Sequence, residues 1–355
     1  MLSADTSRER PSDVGLTCHP QRMNAVNPTS WGRPASEPEA GWAVIDVETS
    51  GFRPGQARII SIAALSLDAA GRLEQSVVSL LNPGVDPGPT HVHGLTAAML
   101  EDQPQFADVV GDVVDVLRGK TLVAHNVAFD YAFLAAEAEI AGAELPVDSV
   151  MCTVELARRL ELGVDNLRLE TLAGHWGVIQ QRPHDAFDDA MVLTGVLAAA
   201  LQRARERDVW LPVRPVTRRR WPNGRVTHDE LRPLKVLASR MPCPYLNPGP
   251  YVCGRPLIQG MRVALAAEVA RTHEELVERI LHAGLAYTDV VDRETSLVIC
   301  NEATPEQGKG YLARQLGVPV VSDAQFMDCV RRVVGGTGME EFADIATIDA
   351  QLALF

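Results

Sequence analysis

The chain has 355 residues, 46% of them apolar, and a formal net charge of −13. That length favours two domains, and that apolar content is enough for real cores. The charge has the wrong sign for a protein that coats nucleic acid with its whole surface, although an enzyme that grips a strand end through bound metals remains compatible with it. No run of 18 apolar residues occurs, so no segment reads as a membrane span.

Residues 1–40 are polar and rich in Pro, Ser and Arg, with no apolar stretch of the kind a secretory signal needs. They read as a disordered segment, and Met23 is an alternative start. The six cysteines (Cys18, Cys152, Cys243, Cys253, Cys300 and Cys329) have no zinc spacing. They read as free thiols of a cytoplasmic protein in preference to a Cys243–Cys253 pair.

A first ordered block is expected over residues 41–208. Trp42–Glu48 is apolar with carboxylates at period two, the pattern of a strand. Arg58–Leu67 and Leu73–Leu81 read as two more strands joined by a hairpin-type turn at Asp68–Gly71. Phe106–Leu117 has helical spacing, Thr121–Ala124 is a short buried strand, and Asn126 is placed to cap a helix reaching about Ala141. Val147–Met151 suits a strand, and Thr153–Leu160 and Leu167–Trp176 suit helices. Asp185–Arg205 suits a long helix with Ala186, Ala190, Leu193 and Leu197 as its packing stripe. Three meandering strands followed by alternating helices and strands predict a mixed sheet flanked by helices.

Residues 209–257 hold nine prolines and little periodicity, and read as a Pro/Arg-rich linker with one helix near Asp229–Arg240. Nine basic residues there face only Asp229 and Glu230, so the rest of the chain is more acidic than the total suggests. The run Arg218-Arg-Arg-Trp221 with Arg225 has the basic and aromatic mixture of single-strand binders. A basic segment lying against the acidic first block is the competing reading. A second block, residues 258–334, alternates strand and helix: Met261–Ala266, Thr272–His282, Ser296–Cys300, Glu306–Leu316, Val318–Ser322 and Asp323–Val334. Residues 335–355 read as a mobile acidic tail.

Five residues carry the chemistry. Asp46 and Glu48 are i and i+2 on a strand, so both side chains leave one face while Ile45 and Val47 point into the core. Two such carboxylates repel, and one protonates unless a cation lies between them. Alone, the pair fits a solvated strand face as well as a metal site. Asp130, in the first turn after Asn126, is by itself explained by the helix N-terminus. His184 and Asp189 are about 140° apart around a helix and cannot share a face. If Asp185 is the N-cap, His184 lies on the preceding loop and Asp189 in the first turns. Asp185 and Asp188 compete with Asp189 for the metal role, but read better as a cap and a solvated surface residue.

Taken together these residues resemble the DEDDh group of 3′–5′ exonucleases, which includes the proofreading epsilon subunit of bacterial DNA polymerase III. The matching runs are Asp46-Val-Glu48-Thr-Ser-Gly51, His125-Asn-Val-Ala-Phe-Asp130 and His184-Asp-Ala-Phe-Asp-Asp189, with His93-Gly-Leu-Thr96 between the first two. Ser61 stands where many of the group carry Glu. The resemblance implies a ribonuclease H-like mixed sheet flanked by helices. It further implies two Mg²⁺ or Mn²⁺ ions held by Asp46, Glu48, Asp130 and Asp189, with Asp46 bridging them, and His184 as general base. Thr49, His93, Leu95 and Thr96 would cradle the terminal nucleotide. The implied reaction is release of nucleoside 5′-monophosphates from a single-stranded or frayed DNA 3′ end in repair or replication. An exoribonuclease acting on RNA and a non-catalytic DNA-repair scaffold are the alternatives. A cytoplasmic, nucleoid-associated protein with no membrane contact is expected.

The second block resembles a BRCT domain, a small α/β unit of four strands and three helices. The stretches that carry this are Gly260–Leu265, Ala283-Gly284, Ser296–Cys300 and Gly308–Ser322, with Phe326 where many members have Trp. A protein partner is implied. Phosphate-reading members use a Thr/Ser-Gly pair where Ala266-Ala267 stands here, and a Lys where Leu312 stands, with Lys309 one turn earlier. Phosphate recognition is therefore not expected. Deletion of Ile258–Phe355 is expected to leave hydrolysis of short oligonucleotides nearly intact.

Overall fold

The computed structural model describes residues 33–35 and 40–339. The expectations for most of residues 1–40 and for residues 340–355 lie outside the described residues. Strand β1 (Arg33–Pro34) is followed by the antiparallel meander β2 (Trp42–Thr49), β3 (Ile59–Leu67) and β4 (Leu73–Leu80). Two single-turn helices come next, α1 (Thr90–His93) and α2 (Ala97–Leu100). Then α3 (Phe106–Leu117), β5 (Thr121–Ala124), α4 (Val127–Ala141), β6 (Ser149–Cys152), α5 (Thr153–Leu160), α6 (Leu169–Trp176) and α7 (Ala186–Glu206) complete the first block. The turn between β3 and β4 is closed by Asp68, whose carboxylate accepts the Ala70 and Arg72 amides, both at 2.9 Å.

The six-stranded sheet has the order β4-β3-β2-β5-β6 and a final strand, β8 (Val213–Pro215), preceded by β7 (Trp210–Leu211). β5 and β6 run parallel to β2, whereas β3, β4 and β8 run antiparallel to their neighbours. This is the expected ribonuclease H-like mixed sheet. Period-two alternation sorts β2 between two layers. Ala43, Ile45 and Val47 pack with residues of α3 and α4, while Trp42 and Val44 pack with Ala186, Ala190, Leu193 and Leu197 of α7. Asp46 and Glu48 continue the second row, which directs them to the face covered by α7.

Residues 209–257 differ from a free linker. β8 pairs with β6 from Met151↔Val213 to Ser149↔Pro215 and closes the sheet edge. A hairpin of β9 (Arg218–Arg220) and β10 (Val226–His228) lies against α4, where the His228 amide donates to Glu139 at 2.9 Å. Arg218 bonds Glu144 and, at 2.7 Å, Asp148, and Arg220 pairs with Glu144. The basic run thus lies against acidic side chains of the first block. Helix α8 (Leu234–Ala238) instead joins the second core through Leu234 and Ala238. Helix α8 falls within the helix expected near Asp229–Arg240, whereas the short strands β7–β10 had no pattern to betray them, because proline interrupts period two and period 3.6 alike. Arg33–Pro34, expected to be disordered, pair with Trp210–Leu211.

The second block is a parallel sheet of order β12-β11-β13-β14, built from β11 (Arg262–Leu265), β12 (Ala286–Thr288), β13 (Leu297–Ile299) and β14 (Val320–Val321). Helices α9 (His273–His282) and α11 (Asp323–Val330) contribute to one core, and α10 (Gly308–Leu316) to another. The sequence reading missed β12, which is only three residues long. The start of the expected tail is tied back, with Gly338 bridging Tyr245 and the Met339 amide donating to the Pro244 carbonyl at 2.9 Å.

The two blocks are joined by a buried ion pair. The Arg159 guanidinium on α5 donates to both oxygens of Glu278 on α9, at 2.8 and 2.9 Å. Both side chains are essentially sealed from solvent, at 0% and 1% exposure. Arg159 also reaches Glu155 at 3.2 Å and the Trp210 carbonyl at 3.1 Å, and Thr272 donates to Glu155 at 2.9 Å. Arg279 lies 3.6 Å over the Trp210 ring. The expectation that deleting Ile258–Phe355 is harmless therefore changes, because the deletion would leave Arg159 without its buried carboxylate.

Candidate active site

β2 pairs with β5 only as far as Val44↔Val123. Beyond that point the strand has no strand neighbour on this side among the described residues, and α4 follows β5 there. Asp130, in the first turn of α4, uses its carboxylate to accept the Val47 amide. Asn126 makes this approach possible, but not as expected. It occupies the N-cap position with φ 71 and ψ 55 and makes no side-chain cap bond. It supplies a left-handed turn, which Asn tolerates better than most residues. His125, from the same run, turns its Nδ1 to the Thr153 hydroxyl at 3.0 Å.

Asp189 enters from α7. Its two oxygens accept the Gln180 side-chain amide at 2.6 Å and the His184 backbone amide at 3.0 Å. Asp185 is the N-cap as expected, accepting the Asp188 amide at 3.0 Å. His184 precedes it on the loop with φ 65, a conformation that strains a side chain of this size. One ligand atom each from Glu48, His184 and Asp189 lie within 4.8 Å of one another.

The electrostatics describe a site short of positive charge. Burial, reinforced by Asp130, Asp189, Glu48 and Asp185, holds Asp46 well above the usual carboxylate range. Burial, with Asp189 and Asp185 adding to it, pushes Glu48 up to about 7. Asp130 and Asp189 are also raised, chiefly by burial. Four oxygen-donor groups that resist ionisation because they are buried, and crowded by neighbouring carboxylates as well, form a donor set suited to hard divalent cations.

The crowding has a measurable consequence. In metal-free protein these groups hold protons that the unfolded chain has already released. Stability should therefore fall as pH rises from the ordinary glutamate value of 4.5 through about 7. Added Mn²⁺ should raise the melting temperature more at the top of this window than at the bottom. Calorimetry checks this, and a metal-free melting temperature that climbs across the window would contradict the crowding.

The expected nucleotide-cradling residues lie at the end of β2 and around the two single-turn helices. His93 is buried at the end of α1, near enough to His184 for their charges to interact. Its Nδ1 accepts the Leu95 amide at 3.0 Å. Thr96 is exposed before α2 and makes no side-chain cap bond. The Thr49 hydroxyl donates to the Gly51 carbonyl at 2.8 Å. Ser61 lies directly across from Glu48 in the sheet register, where a longer acid would add charge to the cluster. The sequence reading overlooked Phe52. Just past Glu48, it is 84% exposed on a loop whose base is tied by Ser50 and Arg58. An aromatic residue between Gly51 and Arg53 was the available signal.

The family profile described as Exonuclease (RNase_T) matches residues 43–197. The DNA polymerase III epsilon subunit of Treponema pallidum is 31% identical over 154 residues, which span 42% of this chain and 72% of that protein. The chain belongs to the exonuclease family. The epsilon subunit of Salmonella typhimurium is 32% identical over 169 residues, covering 44% of this chain and 69% of the relative. The 3′–5′ exonuclease DinG of Bacillus subtilis is 32% identical over 168 residues, 46% of this chain. The matched region spans only 18% of DinG. The profile match spans the block that holds Asp46, Glu48, Asp130, His184 and Asp189.

Proposed function

We propose that the chain is a metal-dependent 3′–5′ exonuclease that removes nucleoside 5′-monophosphates from single-stranded or frayed DNA ends, serving repair or replication at the nucleoid. The observation that carries this reading is the convergence of four mutually crowded carboxylates with one imidazole. Asp46, Glu48, Asp130 and Asp189 would hold two Mg²⁺ or Mn²⁺ ions. Bound there, such ions neutralise phosphate charge and acidify water. His184 would take the proton of the attacking water as its oxygen bonds to phosphorus and the bond to the penultimate nucleotide's 3′ oxygen breaks. His93, Leu95, Thr96 and Thr49 would border the terminal nucleotide, and Phe52 offers an exposed ring on which a base can stack.

The decisive experiment incubates purified protein with 5′-labelled single-stranded DNA and RNA, with and without Mg²⁺ or Mn²⁺. Metal-dependent shortening from the 3′ end, faster on DNA, is the expected result. Preference for RNA would make the protein an exoribonuclease, and no hydrolysis under any condition would leave a scaffold. His184→Ala should lower kcat by about 10²–10⁴-fold, the usual worth of a general base, while retaining metal affinity. Collapse of metal affinity would make His184 a ligand.

The second block is proposed to be BRCT-like and to engage a protein partner. Its parallel sheet and three helices support this. Ala266-Ala267 offers no hydroxyl, and Lys309 is engaged by Asp289, so recognition of the partner is expected to be independent of phosphate.

A further inference from the structure

The loop between α6 and α7 carries His184, and what holds this loop is not explained by helix capping. Asp185 and Asp188 have capping-box spacing, in which the acid three residues into the helix would return to the N-cap amide. In this chain that bond is not made. The Asp188 carboxylate reaches past the N-cap and accepts two successive loop amides, Gln181 at 2.9 Å and Arg182 at 2.7 Å, on one oxygen. Successive backbone amides converging on one point form an anion-holding concavity, and here the anion is supplied by the helix itself. The next anchor along the loop is the His184 amide on Asp189.

We propose that Asp188 is a positioning residue for the reaction. By fixing Gln181 and Arg182 it helps hold His184 in its left-handed backbone conformation over the cluster, sharing that restraint with Asp189. The inference rests on the exonuclease reading of the site. A bulky residue at φ 65 persists only where its surroundings over-determine it, and two anchors, one on each side of Pro183, provide this. Without Asp188 the loop keeps the Asp185 amide on the Arg182 carbonyl and the Arg182–Asp185 ion pair, both at 3.1 Å, but among the described residues the side-chain acceptor left for a loop amide is Asp189, so excursions of the loop would pull on a carboxylate of the cluster.

Three chains test the idea: wild type, Asp188→Ala and Asp188→Asn. Asp188 is half-buried near the surface, and thermal melting checks that the variants fold. Asp188→Ala should lower kcat by about 10- to 100-fold, the cost of losing an orienting partner, with KM for a short oligonucleotide and Mn²⁺ affinity little changed. Asp188→Asn keeps an acceptor oxygen and should recover most of the loss. Amide hydrogen exchange at Gln181, Arg182 and His184, followed in the same chains, should speed up in Asp188→Ala and stay slow in Asp188→Asn. This readout stands even if wild type proves inactive, an outcome that would sink the proposed function alone. Unchanged exchange at His184 in Asp188→Ala, or a kcat equal to that of active wild type, overturns the positioning role. So does a fall in Mn²⁺ affinity that matches the fall in kcat.

Discussion

Asp46→Ala is expected to lower exonuclease turnover by about 10³-fold or more while leaving the metal-free protein more stable. The first effect follows from charge. Cations at a phosphoryl centre contribute several kcal/mol of transition-state stabilisation, and about 4 kcal/mol corresponds to about 10³-fold in rate. Asp46 is the carboxylate that feels all the others, with Asp130, Asp189, Glu48 and Asp185 each adding to the burial that raises it. Its removal should therefore impair cation binding more than loss of any one neighbour. The second effect has the opposite sign for the same reason. Without a cation these groups destabilise one another, and taking one away relieves the rest, as is common where a site is built at the expense of stability. Measuring kcat and the metal-free melting temperature at pH 8 on the same preparation separates the two. A variant that keeps its turnover would sink the two-cation reading, and one that loses turnover together with its fold would make Asp46 a structural residue.

Glu278→Ala is expected to destabilise the folded chain by about 3–5 kcal/mol, the usual cost of stranding one member of a buried ion pair. The Arg159 side chain has no exposed surface through which to recover hydration. Its remaining partners are Glu155, at 3.2 Å, and the Trp210 carbonyl. Because Arg159 and Glu278 belong to different blocks, the loss should also uncouple them. Calorimetry should show a single transition in wild type and a broadened or split one in the variant. The paired replacement of Arg159 by Met and Glu278 by Leu should recover much of the stability, since an apolar pair of similar size removes the need for compensation. A Glu278→Ala melting curve that overlays wild type would show that the blocks do not depend on this pair.

Much of the architecture was written in local patterns. Phe106–Leu117, Thr121–Ala124 and Thr153–Leu160 form the elements their spacing predicts, because periodicity of 3.6 or 2 needs only a few neighbouring residues. The α7 stripe of Ala186, Ala190, Leu193 and Leu197 packs as read, and Asp185 caps as read. Alternation alone put Asp46 and Glu48 on one face of their strand, and the order of the three acidic runs pointed to the exonuclease family.

What the tertiary structure decided were contacts whose partners lie far apart in sequence or whose geometry competes with a local rule. Arg159 and Glu278 are 119 positions apart, and nothing in either helix announces the other. β8 has too little length for a pattern and exists because the edge of β6 needs a hydrogen-bonding partner. Asn126 and Asp188 both stand where local rules assign a cap. Each is used otherwise, because α4 must start abruptly at the end of β5 and the His184 loop needs an anion for its amides. The sequence by itself determined which groups can do the chemistry. Only packing determined how they are crowded together and which side chains hold them there, because burial and long-range pairing set those energies.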